Sequence, residues 1–308
     1  MASATSPTRT AAAEPSARQP GMTDRARAER NLAWKLCAPA VILMLLVAGF
    51  PIGYAFWLSL QKADLRFPDN TEFVGLQNYI SVLSSSTWWN DVWNTVIITV
   101  CSVTLELVIG MLIAQAMYRA IFARTAIRAS VLVPYGAVTV VAAFVWRLAF
   151  DPATGFATQL FGIDPPFTSR GGSFFVIIMA EVWKTTPFIA LLLLGGLALV
   201  PTDLYKAAKM DGANGWQRFT KITLPLIRPA LMVAVLFRTL DAFRVYDSVF
   251  IMTRGANNTE TVSILGYQQL INRLNLGLGS AVSILIFFCV ILIAVAFTRF
   301  LGASPARR

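Results

Sequence analysis

The chain has 308 residues, of which 56% are hydrophobic and only 14% charged, with a mean hydropathy of +0.62; a water-surrounded domain usually carries about 25% charged residues. The net charge of +10 is scattered between apolar runs rather than gathered on one face, which argues against nucleic acid as a partner. Histidine is absent and Cys37, Cys101 and Cys289 each fall inside an apolar run, which excludes zinc–histidine chemistry, serine–histidine catalysis and a disulfide framework.

Residues 1–30 are rich in Ala, Ser, Thr, Pro and Arg without a hydrophobic period and read as a disordered tail. The first apolar run, Ala33 to Leu60, is too long for a signal-peptide core and long enough to span a bilayer. Runs of similar length follow at Val92 to Tyr118, Ala129 to Phe150, Phe174 to Val200, Ala230 to Met252 and Leu278 to Leu301. The expectation is an all-α integral membrane protein with six transmembrane helices over residues 31–303 and a short end at 304–308. Pro134 and Pro187 are candidate kinks, with packing bends the simpler reading. Most of the 26 Lys and Arg fall in the tail, at 119–128, at 201–229 and at the carboxyl end, whereas Lys62, Arg66, Arg170, Arg254 and Arg273 lie in the opposite segments. That asymmetry puts both termini in the cytoplasm, and Trp57, Trp88, Trp89 and Trp93 fall near the outer interface.

The cytoplasmic segment from Pro201 to Pro229 carries helical signals of its own. Thr202 or Asp203 can cap a first helix, Leu204, Ala207, Ala208 and Met210 continue at helical spacing, and Gly212 ends it. A second short helix is expected over Asn214 to Ile222, before Leu224-Pro225 turns the chain back towards the membrane.

The stretch from Leu204 to Pro225 resembles the EAA loop of binding-protein-dependent ABC import permeases, whose pattern reads EAA, a glycine after three further residues, then I-x-L-P. Ala207, Ala208, Gly212, Ile222, Leu224 and Pro225 match in register, while Lys206 stands where the family usually has glutamate. Phe73 to Tyr79 and Leu236 to Asp247 resemble segments of sugar permeases, with Gly255-Ala-Asn replacing the usual Gly-Gly-Pro turn. Glu181 to Phe188, Leu236 to Arg244 and Asn257 to Tyr267 resemble the first permease subunit of trehalose importers. The resemblance implies a type I ABC importer permease working by alternating access. It assigns Lys206, Ala207, Ala208, Asp211, Gly212, Ile222, Leu224 and Pro225 to a coupling helix seated in a cleft of the ATPase. The implied partners are a second homologous permease, two nucleotide-binding ATPase subunits, an extracytoplasmic sugar-binding lipoprotein and a sugar, with trehalose favoured.

Eight charged residues fall within the expected spans: Glu106, Arg147, Glu181, Lys184, Arg238, Asp241, Arg244 and Asp247. Each costs about 2.5–3.5 kcal/mol at a helix centre, so partners or a watery path are required. Glu181–Lys184, Arg238–Asp241, Asp241–Arg244 and Arg244–Asp247 are spaced to pair along a helix face. Two readings stay open: a ladder of ion pairs holding the fourth and fifth spans together, or a sugar site flanked by Trp183, Phe188, Phe243 and Tyr246. The candidate substrate contacts are Glu181, Lys184, Thr185, Phe188, Arg238, Asp241 and Tyr246, and the family implies binding by the corresponding helices. Glu106, alone in its span, needs a partner across helices or on the second permease. No Gly-x-x-x-x-Gly-Lys-Ser/Thr loop exists, so ATP and Mg belong to the partner ATPase and this chain is expected to hold no cofactor and to be no enzyme. The competing class is an ion-coupled secondary transporter, which inverted repeats with broken helices would mark; no clear pair is found.

Overall fold

The computed structural model describes residues 24–119, 124–162 and 165–301 and divides into two units, Met1–Gly53 and Tyr54–Arg308. In the first, a helix begins at Asp24, inside the stretch expected to be an irregular tail. Residues 25–29, Arg-Ala-Arg-Ala-Glu, are good helix formers with no glycine or proline to break the turn. The rest of that tail, and the end at 304–308, lie outside the described residues.

The first candidate span is α1 (Leu32–Ser59), and the remaining elements belong to the second unit. There a two-residue antiparallel pair, Gln61–Lys62 with Glu72–Phe73, precedes a short helix α2 (Gln77–Leu83). Next come α3 (Ser86–Arg119) and a pair bent by 86°, α4 (Thr125–Gly136) and α5 (Thr139–Ala149). α6 (Arg170–Ala198) is followed by α7 (Thr202–Met210) and a second bent pair at 69°, α8 (Gly215–Leu226) and α9 (Arg228–Ala242). The short α10 (Asp247–Met252) and α11 (Val262–Tyr267) lead to α12 (Leu276–Arg299). Among the described residues four helices are individually long and apolar enough to cross a membrane, or up to six if each bent pair is one span.

The spine of the second unit is the packing of α3 on α6. Small residues permit it: a Cβ built on Gly110 would meet Ile189 Cγ2 at 2.9 Å, and Ala114 and Ala190 are fully buried. α9 closes on the carboxyl-terminal end of α6 in the same manner, with Gly196 against the Ala230 methyl. Without a hydrophobic drive in lipid, such close approach supplies much of the helix–helix attraction. Two apolar layers result. One surrounds Ile98, Ile177, Val249 and Ile264; the other surrounds Met111, Ile189, Leu193 and Ile227.

The two prolines behave differently. Pro134 lies two residues before the α4–α5 break. Pro187 sits in an unbroken α6, where Thr185 and Thr186 hydroxyls donate to the carbonyls of Glu181 and Val182 at 2.6 Å each. The expected fifth run, Ala230 to Met252, is not one helix. It stops at Ala242 and resumes at Asp247, because Arg244 and Val245 close tight turns on Asp241 and Ala242 instead of continuing the helix. The freed carbonyl of Val245 accepts from the Thr261 hydroxyl at 3.3 Å, so the interruption leaves this buried acceptor satisfied. Trp88 is buried against the core rather than placed at an interface, whereas Trp57, Trp89 and Trp93 are exposed.

Candidate functional site

Between the two apolar layers, the middles of α3, α6 and α9 meet at a cluster of charge. The Arg238 guanidinium donates from Nε to Glu106 Oε2 at 2.6 Å and from Nη2 to Glu106 Oε1 at 3.0 Å. Nη2 also reaches Glu181 Oε2 at 2.8 Å, and Nη1 reaches Asp241 Oδ2 at 2.6 Å. Thr185 Oγ1 donates to Glu106 at 2.8 Å, and the Ser248 hydroxyl donates to the second Glu181 oxygen. A planar guanidinium with donors on each edge suits this three-carboxylate clamp, which an ammonium could not match. Arg238 is 2% exposed and Glu106 fully buried, whereas Asp241 is 69% exposed. The cluster therefore has a closed, structural side and an open one.

The open side faces two cavities that share four of their lining residues, Thr185, Arg238, Asp241 and Arg244. The larger, about 370 Å³, is walled also by Tyr135, Phe188 and Phe237. The smaller, about 180 Å³, is lined also by Glu181, Lys184 and Tyr246. All seven candidate substrate residues lie on these walls, divided between roles that sequence spacing could not separate. Glu181, Thr185 and Arg238 are buried in the clamp, Asp241 pairs with Arg238 while staying mostly exposed, and Lys184, Phe188 and Tyr246 stand outside it.

Of the four pairs expected along helix faces, only Arg238–Asp241 forms. Glu181 turns to Arg238 on α9 instead of Lys184, and among the described residues Lys184, Arg244 and Asp247 form no ion pair. Positions three apart differ by about 60° around a helix, so Glu181 can face α9 while Lys184 borders the cavity. Glu106, expected to pair across helices or with another subunit, does so across helices. Of the four flanking aromatics, Phe188 and Tyr246 line cavities, Phe243 is buried in the core and Trp183 packs near Trp146 at 6.2 Å between ring centroids. Sequence reasoning missed Tyr135, whose ring stacks on Phe188 at 5.6 Å, and Ser248.

The elbow at residues 201–229 has the expected two helices with different ends. α7 starts after Pro201 in extended geometry, and neither Thr202 nor Asp203 caps it. Asp203 instead accepts from Lys206 Nζ at 2.9 Å in an exposed pair, worth at most about 1 kcal/mol. Gly212 takes φ +78 and ends α7, a conformation that glycine adopts without strain. Asn214 and Gln217 then form a reciprocal capping box at 2.8 Å each way. α8 continues through Pro225 by way of a widened turn at Phe219–Thr223, which accommodates the missing N–H. The chain therefore turns back at Ile227, not at Leu224-Pro225. Tyr205 Oη bonds Thr223 Oγ1 at 2.9 Å and holds the helices together, leaving Leu204, Met210 and Trp216 exposed. Asp211 closes α7, Ala207 and Ala208 lie on it, and Ile222 and Leu224 lie on α8.

At the far end of α3, the turn after α10 is built by residues in the left-handed region, Arg254, Gly255, Asn257 and Asn258. Asn257 donates to the Phe167 carbonyl at 2.6 Å, Asn90 to Asn258 at 2.6 Å, and Asn94 to the Glu260 carbonyl at 2.8 Å. Asparagine tolerates positive φ, so Gly255-Ala-Asn-Asn makes this turn without the usual Gly-Gly-Pro. Burial pushes the Glu260 carboxyl up from the ordinary range, partly opposed by Arg273.

The model for "Binding-protein-dependent transport system inner membrane component" matches residues 106–307. The chain is 51% identical to the trehalose transport system permease protein SugA of Mycobacterium tuberculosis over 278 residues, 90% of this chain and 91% of that protein. It is 36% identical to the trehalose/maltose transport system permease protein MalF of Thermococcus litoralis, covering 88% and 94%. The fold matches a chain in the crystal structure of a bacterial ABC transporter involved in the import of the acidic polysaccharide alginate, with a TM-score of 0.77 at 19% identity, covering 92% of this chain and 100% of that one. With a family model matched over residues 106–307, a relative 51% identical along nine-tenths of the chain and four to six candidate spans, the chain belongs to the binding-protein-dependent transport system inner membrane components, as a multi-pass ABC importer permease subunit that carries no ATPase of its own.

Proposed function

We propose that this chain is one of two homologous permeases in an ATP-driven sugar importer, and that its cargo is a disaccharide, trehalose above others. The observation that carries this reading is the pair of adjoining cavities on the open side of the Arg238 clamp. Their walls combine the Lys184 ammonium, the Arg244 guanidinium, the mostly exposed Asp241 carboxylate that also pairs with Arg238, and the rings of Tyr135, Phe188 and Tyr246. Sugar hydroxyls need both donors and acceptors, and apolar ring faces rest well on aromatic ones. The names of the two relatives support trehalose.

In this reading Lys184, Asp241, Phe188 and Tyr246 touch the sugar, and Glu181, Thr185, Arg238 and Glu106 hold α6 and α9 in position. Both termini face the cytoplasm. Two partner ATPases bind ATP with Mg, and their closure moves the elbow formed by Lys206, Ala207, Ala208, Asp211, Gly212, Ile222, Leu224 and Pro225. The cavity then exchanges access between the two sides, receiving sugar from an extracytoplasmic binding lipoprotein.

The test is reconstitution with both ATPases, the second permease and the binding protein, followed by ATP turnover and uptake with trehalose, maltose and a non-sugar solute. Trehalose should raise both rates most. Uptake that persists without the ATPases and follows an ion gradient would establish the secondary-transporter alternative instead.

A further inference from the structure

Behind the elbow, where α3 ends and α7 and α8 begin, lies a cavity of about 480 Å³ that shares no lining residue with the two cavities at the Arg238 clamp. Its charged lining is entirely basic: Arg119, Lys206 and Arg218 border it, with Gln115, Thr202 and Thr223 as neutral hydrogen-bonding groups. No acidic residue among those described lines it. Arg119 and Arg218 form no ion pair with any described residue, and Lys206 meets only the exposed Asp203 outside the cavity. Three cations are brought together from three helices, and among the described residues only Lys206 has an ion-pair partner, the exposed Asp203.

Backbone polarity has the same sign. Thr202 and Gly215, the first residues of α7 and α8, both border the cavity, so two helix starts add partial positive charge to it. α7 has no side-chain cap to consume its free N–H groups. One wall is apolar, formed by Leu197 and Phe219.

We propose that this cavity binds a phosphate-bearing anion, with Arg119, Lys206 and Arg218 as its ligands. Guanidinium groups bind phosphate oxygens in pairs, and Lys206 adds a point charge. The lysine that departs from the EAA pattern thereby acquires a role that glutamate could not fill. The phosphate can come from an anionic phospholipid, its chains beside Leu197 and Phe219, or from a soluble phosphate ester. Bound there, it joins the end of α3 to both elbow helices. An effect on coupling rests on the function proposed above; the binding itself does not.

The experiment uses the full chain in phosphatidylcholine nanodiscs at low salt. One arm titrates inorganic pyrophosphate. The other measures the rise in melting temperature when phosphatidylglycerol is included. A response to lipid alone identifies a headgroup, and a response to pyrophosphate alone a soluble ester. In the responding arm Arg119→Gln and Arg218→Gln should weaken binding at least about tenfold, each removing a charge-assisted contact. Arg218→Lys keeps the charge and a measurable response, which separates lost binding from lost folding. Lys221→Gln, in the same loop but outside the cavity, should bind as the parent does. No response in either arm, or equal weakening by Lys221→Gln and Arg218→Gln, overturns the proposal.

Discussion

Arg238 and Glu106 are joined by two hydrogen bonds, at 2.6 and 3.0 Å, across 132 residues of chain. Both are buried, so each is the reason the other is tolerated inside the membrane. Removing one partner of such a pair costs about 3–5 kcal/mol, chiefly by stranding the other charge. Glu106→Ala should therefore lower the melting temperature of the purified chain in detergent steeply. Glu106→Gln, which keeps an acceptor for Arg238, should lose less. Equal melting of Glu106→Ala and the parent would show that the clamp does not hold the helices.

Asp241 belongs to the same cluster but is mostly exposed. Asp241→Ala should leave folding and subunit assembly intact and cut sugar uptake roughly tenfold or more, the scale of one or two lost polar contacts. Co-purification checks assembly and tracer uptake checks function. Loss of assembly would return Asp241 to the ion-ladder reading.

Asp211 closes α7 immediately before Gly212. Charge reversal there, Asp211→Lys, should leave ATP hydrolysis running in the assembled transporter while uptake falls. Gly212→Val forces a branched side chain into a left-handed conformation, at about 1–2 kcal/mol, and should impair coupling in the same direction. Normal uptake per ATP in both variants would remove the elbow from the drive train.

Gly196 sits so close to α9 that a Cβ would lie 2.6 Å from that of Ala230. Gly196→Val should destabilise by about 1–3 kcal/mol, the usual range for overpacking. Ala230→Gly in the same chain should restore part of the loss, and thermal unfolding of the single and double variants measures both.

Glu260 has a buried carboxyl oxygen without a hydrogen-bond partner among the described residues. Burial raises its pKa above the ordinary 4.5, so the charged form is disfavoured in the folded state. The resulting destabilisation is absent below pH 4.5 and complete once the pH passes the raised value. Glu260→Gln should therefore melt higher than the parent at neutral pH and lose that advantage near pH 4. A variant that melts lower at neutral pH would mean that the charged form is the stabilised one.

The spans were legible because lipid demands long apolar runs, and the elbow because Gly212 and the Ala207-Ala208 pair are spaced as one motif. The interruption at residues 243–246 was not, since Phe243, Val245 and Tyr246 keep the run apolar while the backbone leaves the helix. The partner of Arg238 was equally hidden. Local spacing proposed Asp241, which does pair, but Glu106 is brought up only by the packing of α3, and no periodicity records a contact across 132 residues. Lys184 and Glu181 illustrate the converse: they have ideal spacing, but a stronger partner on another helix takes the glutamate.

The 69° angle at Ile227 sets how force can travel. α8 and α9 meet at a buried vertex, so in the function proposed above the pair would act as a bell crank rather than a piston. Under the ATPase drive proposed above, a thrust along α8 would become mostly a sideways swing of the second arm, α9. Arg238 rides on that second arm about three turns from the vertex, so the clamp lies where the swing is already large and must either travel with α6 or let go of it.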